Sequence, residues 1–467
     1  MINQINSFVA FSERQALSPL ASQIAALLSA NASLSATEIQ AATGKSQPSI
    51  SLAIAQHGDM ICKLGAARSS RYALAKDILG LPANQALHFT DEAGNISEFG
   101  TLTQLHNRQI VVRTNTKTKT KKQWVSAPGE LPWFLKPLRP QGFLGRQYLQ
   151  LRPDFPGDPD AWTAEQALYI AVNHAADPPG AFGLGQIVGR LVRETPVEIG
   201  ARALHYDHLA EAINKTLPAG SSAGGEQPKF LTEIKEGTNY RHLIVKFTPP
   251  RDTPFGKRWR ALLHLEHLAH TILREHGIAV AHTRIVESPT RTYFESQRFD
   301  RLGMEGKRHV VAVDALHGEF VHAPRRNWIH SAEALANKKL ITPTDLSAVA
   351  RIYAFGQFIG NTDMHFGNLS FFVDGVERDV RRPALGLAPV YDMLPMMWRP
   401  NAQSGELNVT AVAERSVTPS YARDQADACE WAIAFWQQAT TLDAIEGPLR
   451  EACEISAKRM AENFLRG

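Results

Sequence analysis

A chain of 467 residues is, at roughly 150 residues per domain, long enough for about three domains with cores of their own, and its 44% hydrophobic and 21% charged content excludes wholesale disorder and fibrous repeats. Lys+Arg 50 against Asp+Glu 46 gives a formal net charge of +4, too small to identify a nucleic-acid binder, so any basic surface has to be local. Cys62, Cys429 and Cys453 are an odd, widely spaced set unsuited to a disulfide framework, Met1 to Arg14 lacks the apolar core of a signal peptide, and no window approaches 18 uninterrupted apolar residues, so a cytoplasmic protein without a membrane span is expected.

Pro19 to Leu28 is apolar on a helical period, with Ser18 placed as N-cap and Pro19 at the first helical position. Ser35-Ala36-Thr37-Glu38 is a capping box that predicts a second helix to about Ala42, and Ser46-Gln47-Pro48 starts a third beyond Thr43-Gly44-Lys45. Two short helices across a Gly turn spell helix-turn-helix. The strand candidates Met60 to Leu64 and Arg71 to Leu74, around the small tip Gly65 to Ser70, add a wing. In a winged helix-turn-helix the third helix enters the major groove of double-stranded DNA. There Ser46, Gln47, Ser49 and Ser51 could touch base edges or phosphates, and Lys45, Lys63, Arg68 and Arg71 the DNA backbone. Docking onto a protein is the alternative.

From Leu87 the pattern turns to strands, Ala86 to Thr90 and Gln109 to Arg113, around an Asp91 to Asn95 turn. The Thr/Lys alternation from Thr114 to Lys122 reads as a solvated hairpin tip or lysine-guarded edge in preference to a phosphate patch. Leu131 to Gly145 is a connector whose Trp133, Phe134 and Phe143 demand burial. Mixed α/β sequence runs on to about residue 303. Beyond it Ser331 to Leu340, Pro343 to Gln357 and Gln425 to Phe464 are periodic helical segments. Gly183 to Gly189 (GLGQIVG) misses the dinucleotide fingerprint by one residue and reads as a loop entering a helix. His264, His267 and His270 miss the zinc-protease spacings and read as chance clustering on an exposed helix.

One stretch stands apart. Phe355 to Phe372 (FGQFIGNTDMHFGNLSFF) packs Asn361, Asp363, His365 and Asn368 between apolar flanks that must be buried. Asp363 and Asn368 have the D-x-x-x-x-N spacing of a kinase catalytic loop, in which Asp accepts the proton of the attacking hydroxyl and Asn binds magnesium. A second carboxylate, Asp392, lies in an apolar run, where it would be penalised unless paired or metal-bound; with Asn368 it could share Mg2+. Upstream, Lys246 interrupts the apolar strand Leu243 to Phe247 and can point toward phosphate, or face solvent at strand period. Before it the small residues Ala219 to Gly225 could surround phosphate oxygens with backbone N–H groups, with Lys229 adding charge. Glycine-rich loop, Lys strand, helix with Glu266, strand ending at Asp300, helical half with an Asp…Asn loop and a last Asp follow the order of a bilobal kinase.

The run SSAGGEQPK, the strand LIVKF, Glu266 in HLEHLA, the QRFDR segment, IGNTDMHFGNLSFF and APVYDMLP together resemble the HipA family of toxin-type serine/threonine kinases over roughly residues 85 to 460, and the fused N-terminal domain resembles its YjjJ-like branch. The resemblance implies an α+β fold: a winged helix-turn-helix (1–80), a β-rich subdomain (81–160), a kinase N-lobe with the glycine-rich loop (161–303) and a helical C-lobe with the catalytic loop (304–467). It implies ATP and Mg2+ as cofactors, Asp363 as catalytic base, Asn368 and Asp392 as metal ligands, and Lys246 on the nucleotide phosphates. Ser222, Ala223, Gly224, Gly225 and His365 would join the nucleotide site, and Gln297 and Phe299 the adenine-contacting hinge. The family often has Glu where Gln297 stands, and its loop commonly reads A-G-A-Q-x-K where this chain has A-G-G-E-Q-P-K. Ser221 matches the family's autophosphorylated serine, where added negative charge would inhibit a phosphate-holding loop. The implied partners are a protein with a Ser or Thr hydroxyl, an aminoacyl-tRNA synthetase being one candidate, together with DNA and an antitoxin. The alternative is a DNA-binding regulator or DNA-directed toxin in which the kinase fold is a scaffold.

Overall fold

The computed structural model of the chain describes residues 18–65, 69–115, 122–174, 177–186, 196–216, 227–376, 380–401, 404–412 and 419–464. The chain divides into two compact units, Met1–Gln85 with Gly100–Glu130, and Ala86–Phe99 with Leu131–Gly467.

In the first unit, helices α1 (Pro19–Ala30), α2 (Ala36–Thr43) and α3 (Gln47–Gln56) occupy the expected spans. Ser18 caps α1 by accepting from the Ala21 amide, and Ser35 and Glu38 form the reciprocal capping box of α2. Ala21, Ile24 and Leu28 repeat on one face of α1 and pack with Ile39, Ile50, Ala53 and Ile61 in one core. Strands β1 (Leu34–Ser35), β2 (Ile61–Leu64) and β3 (Arg71–Leu74) form an antiparallel sheet with β3 in the middle. Further on come β4 (Asn84–Thr90), β5 (Ile96–Gln104), β6 (Ile110–Thr114) and β7 (Gln123–Val125). Within this unit, residues 100–104 pair with 110–114 and these with 123–125. Cys62 and Ala73 share a small core with Leu105 and Val111. Residues 116–121 of the Thr/Lys run lie outside the described residues.

The second unit begins with Leu87 to Phe89 paired to β8 (Phe182–Leu184). Gly183 and Leu184 are therefore strand residues and not the loop expected of them; Gly183 pairs with His88 and a loop would leave that backbone unpaired. The aromatic connector is buried as predicted, Phe134 meeting Phe99 and Phe182 with ring centroids 6.4 and 5.6 Å apart. After α4 (Gly142–Arg146) and α5 (Ala164–Asn173) come β9 (Val197–Glu198), α6 (Arg202–Thr216), β10 (Lys229–Glu236), β11 (Asn239–Phe247), α7 (Pro254–Glu275), β12 (Thr283–Glu287) and β13 (Thr292–Gln297). Their five strands form one sheet in the order β12-β13-β11-β10-β9.

Alternation along β11 sends Leu243, Val245 and Phe247 into a core with Tyr206 of α6, Phe230, Ile234 and Tyr293. Ile244 and Lys246 therefore point to the opposite face, where α7 lies. Thr253 caps α7 with its hydroxyl on the Gly256 amide at 2.9 Å, and Pro254 takes the first helical position. A Cβ on Gly256 would stand 2.0 Å from the Pro250 carbonyl oxygen, so the chain can enter the helix here only with glycine. The helix is largely buried, which corrects the expectation of an exposed one. His264, His267 and His270 each have a separate partner, Glu287, Thr283 and the Glu266 carbonyl.

The remaining elements are β14 (Arg301–Leu302), β15 (Gly306–Lys307), β16 (Val310–Ala312), α8 (Val313–Leu316), α9 (Trp328–Asn337), α10 (Pro343–Phe358), β17 (Ser370–Asp374), β18 (Ala384–Leu387), α11 (Ala422–Ala439) and α12 (Pro448–Phe464). The helical half thus contains a small sheet, β16-β17-β18. The periodic run to Phe464 is two helices, broken before Pro448.

Where β13 ends, the chain alternates Gln297 and Phe299, half-buried, with Arg298 and Asp300, buried. Arg298 and Arg301 both bind Asp177 and Asp300, Lys307 stands 3.6 Å from Asp177, and the Gly180 amide donates to Asp300 at 2.9 Å. Burial raises the Asp300 carboxyl, but the two guanidinium groups outweigh it and bring it down to about 2. Removing one member of such a cluster leaves uncompensated buried charge. Asp300→Asn is therefore expected to destabilise this unit by about 3–5 kcal/mol, measured by urea unfolding at neutral pH; a loss below about 1 kcal/mol would show that solvent already screens the cluster.

Candidate functional site

Lys246, buried on the α7 side of the sheet, directs its ammonium to three carboxylate oxygens. It donates to Glu266 Oε1 and Oε2 at 2.6 and 2.8 Å and stands 2.8 Å from Asp392 Oδ1. Its register partners are Lys229 on one side and Phe294 on the other. Burial opposes the charge of Lys246, but Asp392 and Glu266 outweigh it and hold its pKa above the ordinary lysine value. For Asp392, burial is likewise overcome by Lys246 and Lys229, and its carboxyl stays well below the usual range. Glu266 is fully enclosed, and burial pushes it up to about 7 against the pull of Lys246. Just beyond it on α7, His270 Nδ1 donates to the Glu266 carbonyl at 2.8 Å, and burial brings this imidazole down to about 4, so it is neutral at pH 7.

Asp392 is placed from both sides. Val390 exchanges backbone bonds with Ala279 and Ala281, just after α7, at 2.9 and 3.0 Å. Asp392 itself has φ +52°, a left-handed backbone that a non-glycine residue adopts at a cost of about 1–3 kcal/mol. The loop with Asp363 follows α10, and the bend is made by Gly360 at φ +74°, where a Cβ would lie 2.4 Å from Met397 Sδ. Asn361, buried, then joins the two segments: its Oδ1 accepts from the Asp363 amide at 3.0 Å and its Nδ2 donates to the Asp392 carbonyl at 3.3 Å. Asn368 Nδ2 donates to the Asp363 carbonyl at 2.8 Å. The Asp363 carboxylate has no hydrogen-bond or ion-pair partner among the described residues. His365 is exposed; its ring accepts from the Gly367 amide at 3.0 Å and its carbonyl from the Trp328 indole at 3.0 Å.

The structure thus brings Lys246, Asp363, Asn368 and Asp392 together, with Glu266 and Asn361 as links that the sequence reading did not count as site residues. Glu266 was visible in its helix, 20 residues after Lys246. Asn361 acts on backbone atoms, and no spacing marks that. Gln297 pairs in register with Leu243, and Phe299 lies 5.8 Å from both Phe372 and Tyr391, the residue before Asp392. Ser221, Ser222, Ala223, Gly224 and Gly225 lie outside the described residues. Immediately after them, Gln227 is buried with its Nε2 lacking a partner among the described residues, and Lys229 flanks Lys246. An orphaned amide donor, two lysines and an oxygen-only set of Asp392, Asn368 and Asp363 fit a nucleotide phosphate with a hard divalent cation.

In the first unit, Lys45, Ser46, Gln47 and Ser49 are all exposed at the start of α3. Ser46 and Ser49 share a bond of 3.0 Å and Gln47 bonds Ser51 at 3.4 Å. Arg71 differs: it donates to the Ser33 hydroxyl and carbonyl at 2.8 and 2.7 Å and pairs with Glu38 at 3.1 Å. Arg68 lies outside the described residues.

Residues 221–464 match the family model of the HipA-like C-terminal domain, and residues 81–191 that of the YjjJ-like toxin, middle domain. Among curated proteins, Toxin YjjJ of Escherichia coli (strain K12) is 33% identical over 386 residues, covering 81% of this chain and 84% of that protein. Among solved structures, a chain of the Shewanella oneidensis MR-1 toxin–antitoxin complex of HipA, HipB and operator DNA superposes with a TM-score of 0.51 at 16% identity, covering 82% of this chain and 97% of that one. At that identity the likeness is one of fold.

Without its lysine, the Glu266 and Asp392 pair would be a buried repulsion. Lys246→Met is expected to lose about 3–5 kcal/mol of stability at pH near 8. A carboxyl whose folded pKa lies above its unfolded value of 4.5 stabilises the fold as pH drops through the folded value. Glu266, already at about 7, rises further once Lys246 is gone, so the deficit should shrink toward pH about 6. Urea titrations at the two pH values check this; a deficit that stays constant or grows on acidification would refute it.

Proposed function

The chain belongs to the HipA/YjjJ-type toxin family, and from its site we propose that it is an ATP- and Mg2+-dependent protein serine/threonine kinase with a DNA-binding N-terminal domain. One observation carries the reading: an unbroken series of bonds from Glu266 through Lys246, Asp392 and Asn361 to Asp363 and Asn368. In protein kinases a lysine–glutamate pair, a metal-binding aspartate and a D-x-x-x-x-N loop must be in place together.

In this reading Lys246 and Gln227 hold the phosphates, with the backbone of residues 222–225, and Asp392 and Asn368 hold Mg2+. Bound Mg-ATP would supply the phosphoryl group and the cation that offsets its charge. Asp363, its carboxylate unengaged among the described residues, accepts the proton of a Ser or Thr hydroxyl as that oxygen bonds to the γ-phosphorus and the bond to the ADP oxygen breaks. Asn361 aims Asp363 through the backbone. Gln297 and Phe299 seat the adenine, His365 shapes the rim of the loop, and phosphorylation of Ser221 would switch the site off by repulsion. The growth-inhibiting target is a protein, with an aminoacyl-tRNA synthetase as one candidate, and an antitoxin is the expected partner. The three cysteines are free and buried, in keeping with a reducing cytoplasm, and no described helix is long and apolar enough to cross a membrane.

The three helices and three-stranded sheet of the first unit support a winged helix-turn-helix, with exposed Gln47 and Ser49 on α3 as base-reading residues and Lys45 on phosphate. Arg71, neutralised by Glu38, contributes less to DNA than its position in the wing suggests.

Incubated with labelled ATP and Mg2+, the protein is expected to label itself or a lysate protein, and Asp363→Ala to lower the rate by about 10^2–10^4-fold while keeping a Mg-ATP thermal shift. Equal labelling by the variant would overturn the assignment. In mobility-shift titrations against salt, Lys45→Ala should reduce the slope by about 1, and Arg71→Ala by less; equal effects would place Arg71 back on the DNA.

A further inference from the structure

The helix that carries Glu266 holds a second buried charge, and among the described residues this one has no acid to balance it. Arg258 of α7 is 6% exposed, and among the described residues no carboxylate pairs with it. Its guanidinium donates instead to three backbone carbonyls: Nη1 to Trp398 at 2.9 Å and to Asn408 at 2.7 Å, and Nη2 to Leu407 at 3.4 Å. Burial lowers its pKa, and a methionine of similar bulk would fill the space without burying charge. The hydrogen-bonding fork is therefore what this position uses.

All three carbonyls belong to the segment that leaves Asp392. Met397 N donates to the Gly360 carbonyl at 3.1 Å, which ties the start of the segment to the bend before Asn361. Asn401 N donates to Glu406 O at 3.0 Å, Gly405 N to Asn401 O at 2.9 Å, and the Trp398 indole to Thr410 O at 2.9 Å. Val412 N donates to the Ser456 hydroxyl of α12 at 3.1 Å. One guanidinium thus joins the outgoing and returning legs to each other and to the helix that delivers Glu266.

We propose that Arg258 is a positioning residue, which clasps residues 398 and 407–408 to α7 and so holds Glu266, Lys246 and Asp392 in register. This rests on the kinase reading above. Kinases can set their glutamate-bearing helix through an activation loop ordered by phosphate on arginine; here an arginine on the helix itself reaches the carbonyls of residues 398, 407 and 408.

The test compares Arg258→Met and Arg258→Lys with the wild-type full chain. In Arg258→Met, backbone amides of residues 397–401 and 404–412 are expected to exchange hydrogen about tenfold faster with little change in Tm. Its kcat for phosphate transfer should fall by about tenfold or more while KM for ATP stays within about twofold, since the site is misaligned and not emptied. Arg258→Lys, which keeps the charge but has no fork, should recover part of the rate. Unchanged exchange and kcat would overturn the proposal, as would kcat, ATP affinity and Tm falling together, the mark of a merely structural residue. If the wild type transfers no phosphate, the kinase reading fails, and the clasp is then judged by exchange alone: faster exchange confined to the segment keeps it, and unchanged exchange ends it.

Discussion

The ammonium of Lys246 reaches three carboxylate oxygens from a place almost closed to water, and the second unit is arranged around satisfying it. A charge buried this way is tolerable only if every partner arrives together. Strand β11 must present its even face to α7, α7 must enter at Gly256 close against Pro250, and the strand-like stretch at Val390 must lie beside Ala279 and Ala281. Each of these is a folding requirement, and together they are what brings a lysine, a glutamate and an aspartate from positions 246, 266 and 392 to one point. The contacts that stabilise this unit are thus the same ones that assemble the candidate site.

Beyond Asp392 the organisation changes character. Asn361, Asn368 and Arg258 act on carbonyls and amides of the main chain, fixing the path of the loops, while the Asp363 carboxylate has no partner among the described residues. A backbone brace of this kind is insensitive to which side chain the braced residue carries. It constrains the path of the backbone and leaves the identity of the side chains at Asp363 and Asp392 open.

This difference decides what was legible in the sequence. Asp363, Asn368, Asp392 and Lys246 could be read because polar residues in apolar surroundings at kinase spacing are conspicuous, and the capped helices of the first unit because their capping boxes are local. Glu266 was legible as an element in order, although its enclosure depends on strand register that no local pattern states. The places of Asn361, Gln227 and Arg258 beside the candidate site were not legible. Their partners are peptide groups, which every residue has, so neither spacing nor charge complement betrays them. The histidines of α7 were misplaced on a solvent face for a related reason: a helix packed on a sheet and on α11 has buried positions nearly all round, and polar residues there look like a surface until their separate partners are known.

Arg298 sits between Gln297 and Phe299 and is held by Asp177 and Asp300 on the far side of the backbone. Two half-buried side chains flank a residue that two carboxylates fix in place, and the strand end that carries them has little conformational entropy left to lose. The spacing between Gln297 and Phe299 is thereby set by an anchor on the opposite face, so a change at Asp177 or Asp300 would be felt at two side chains that neither acid touches.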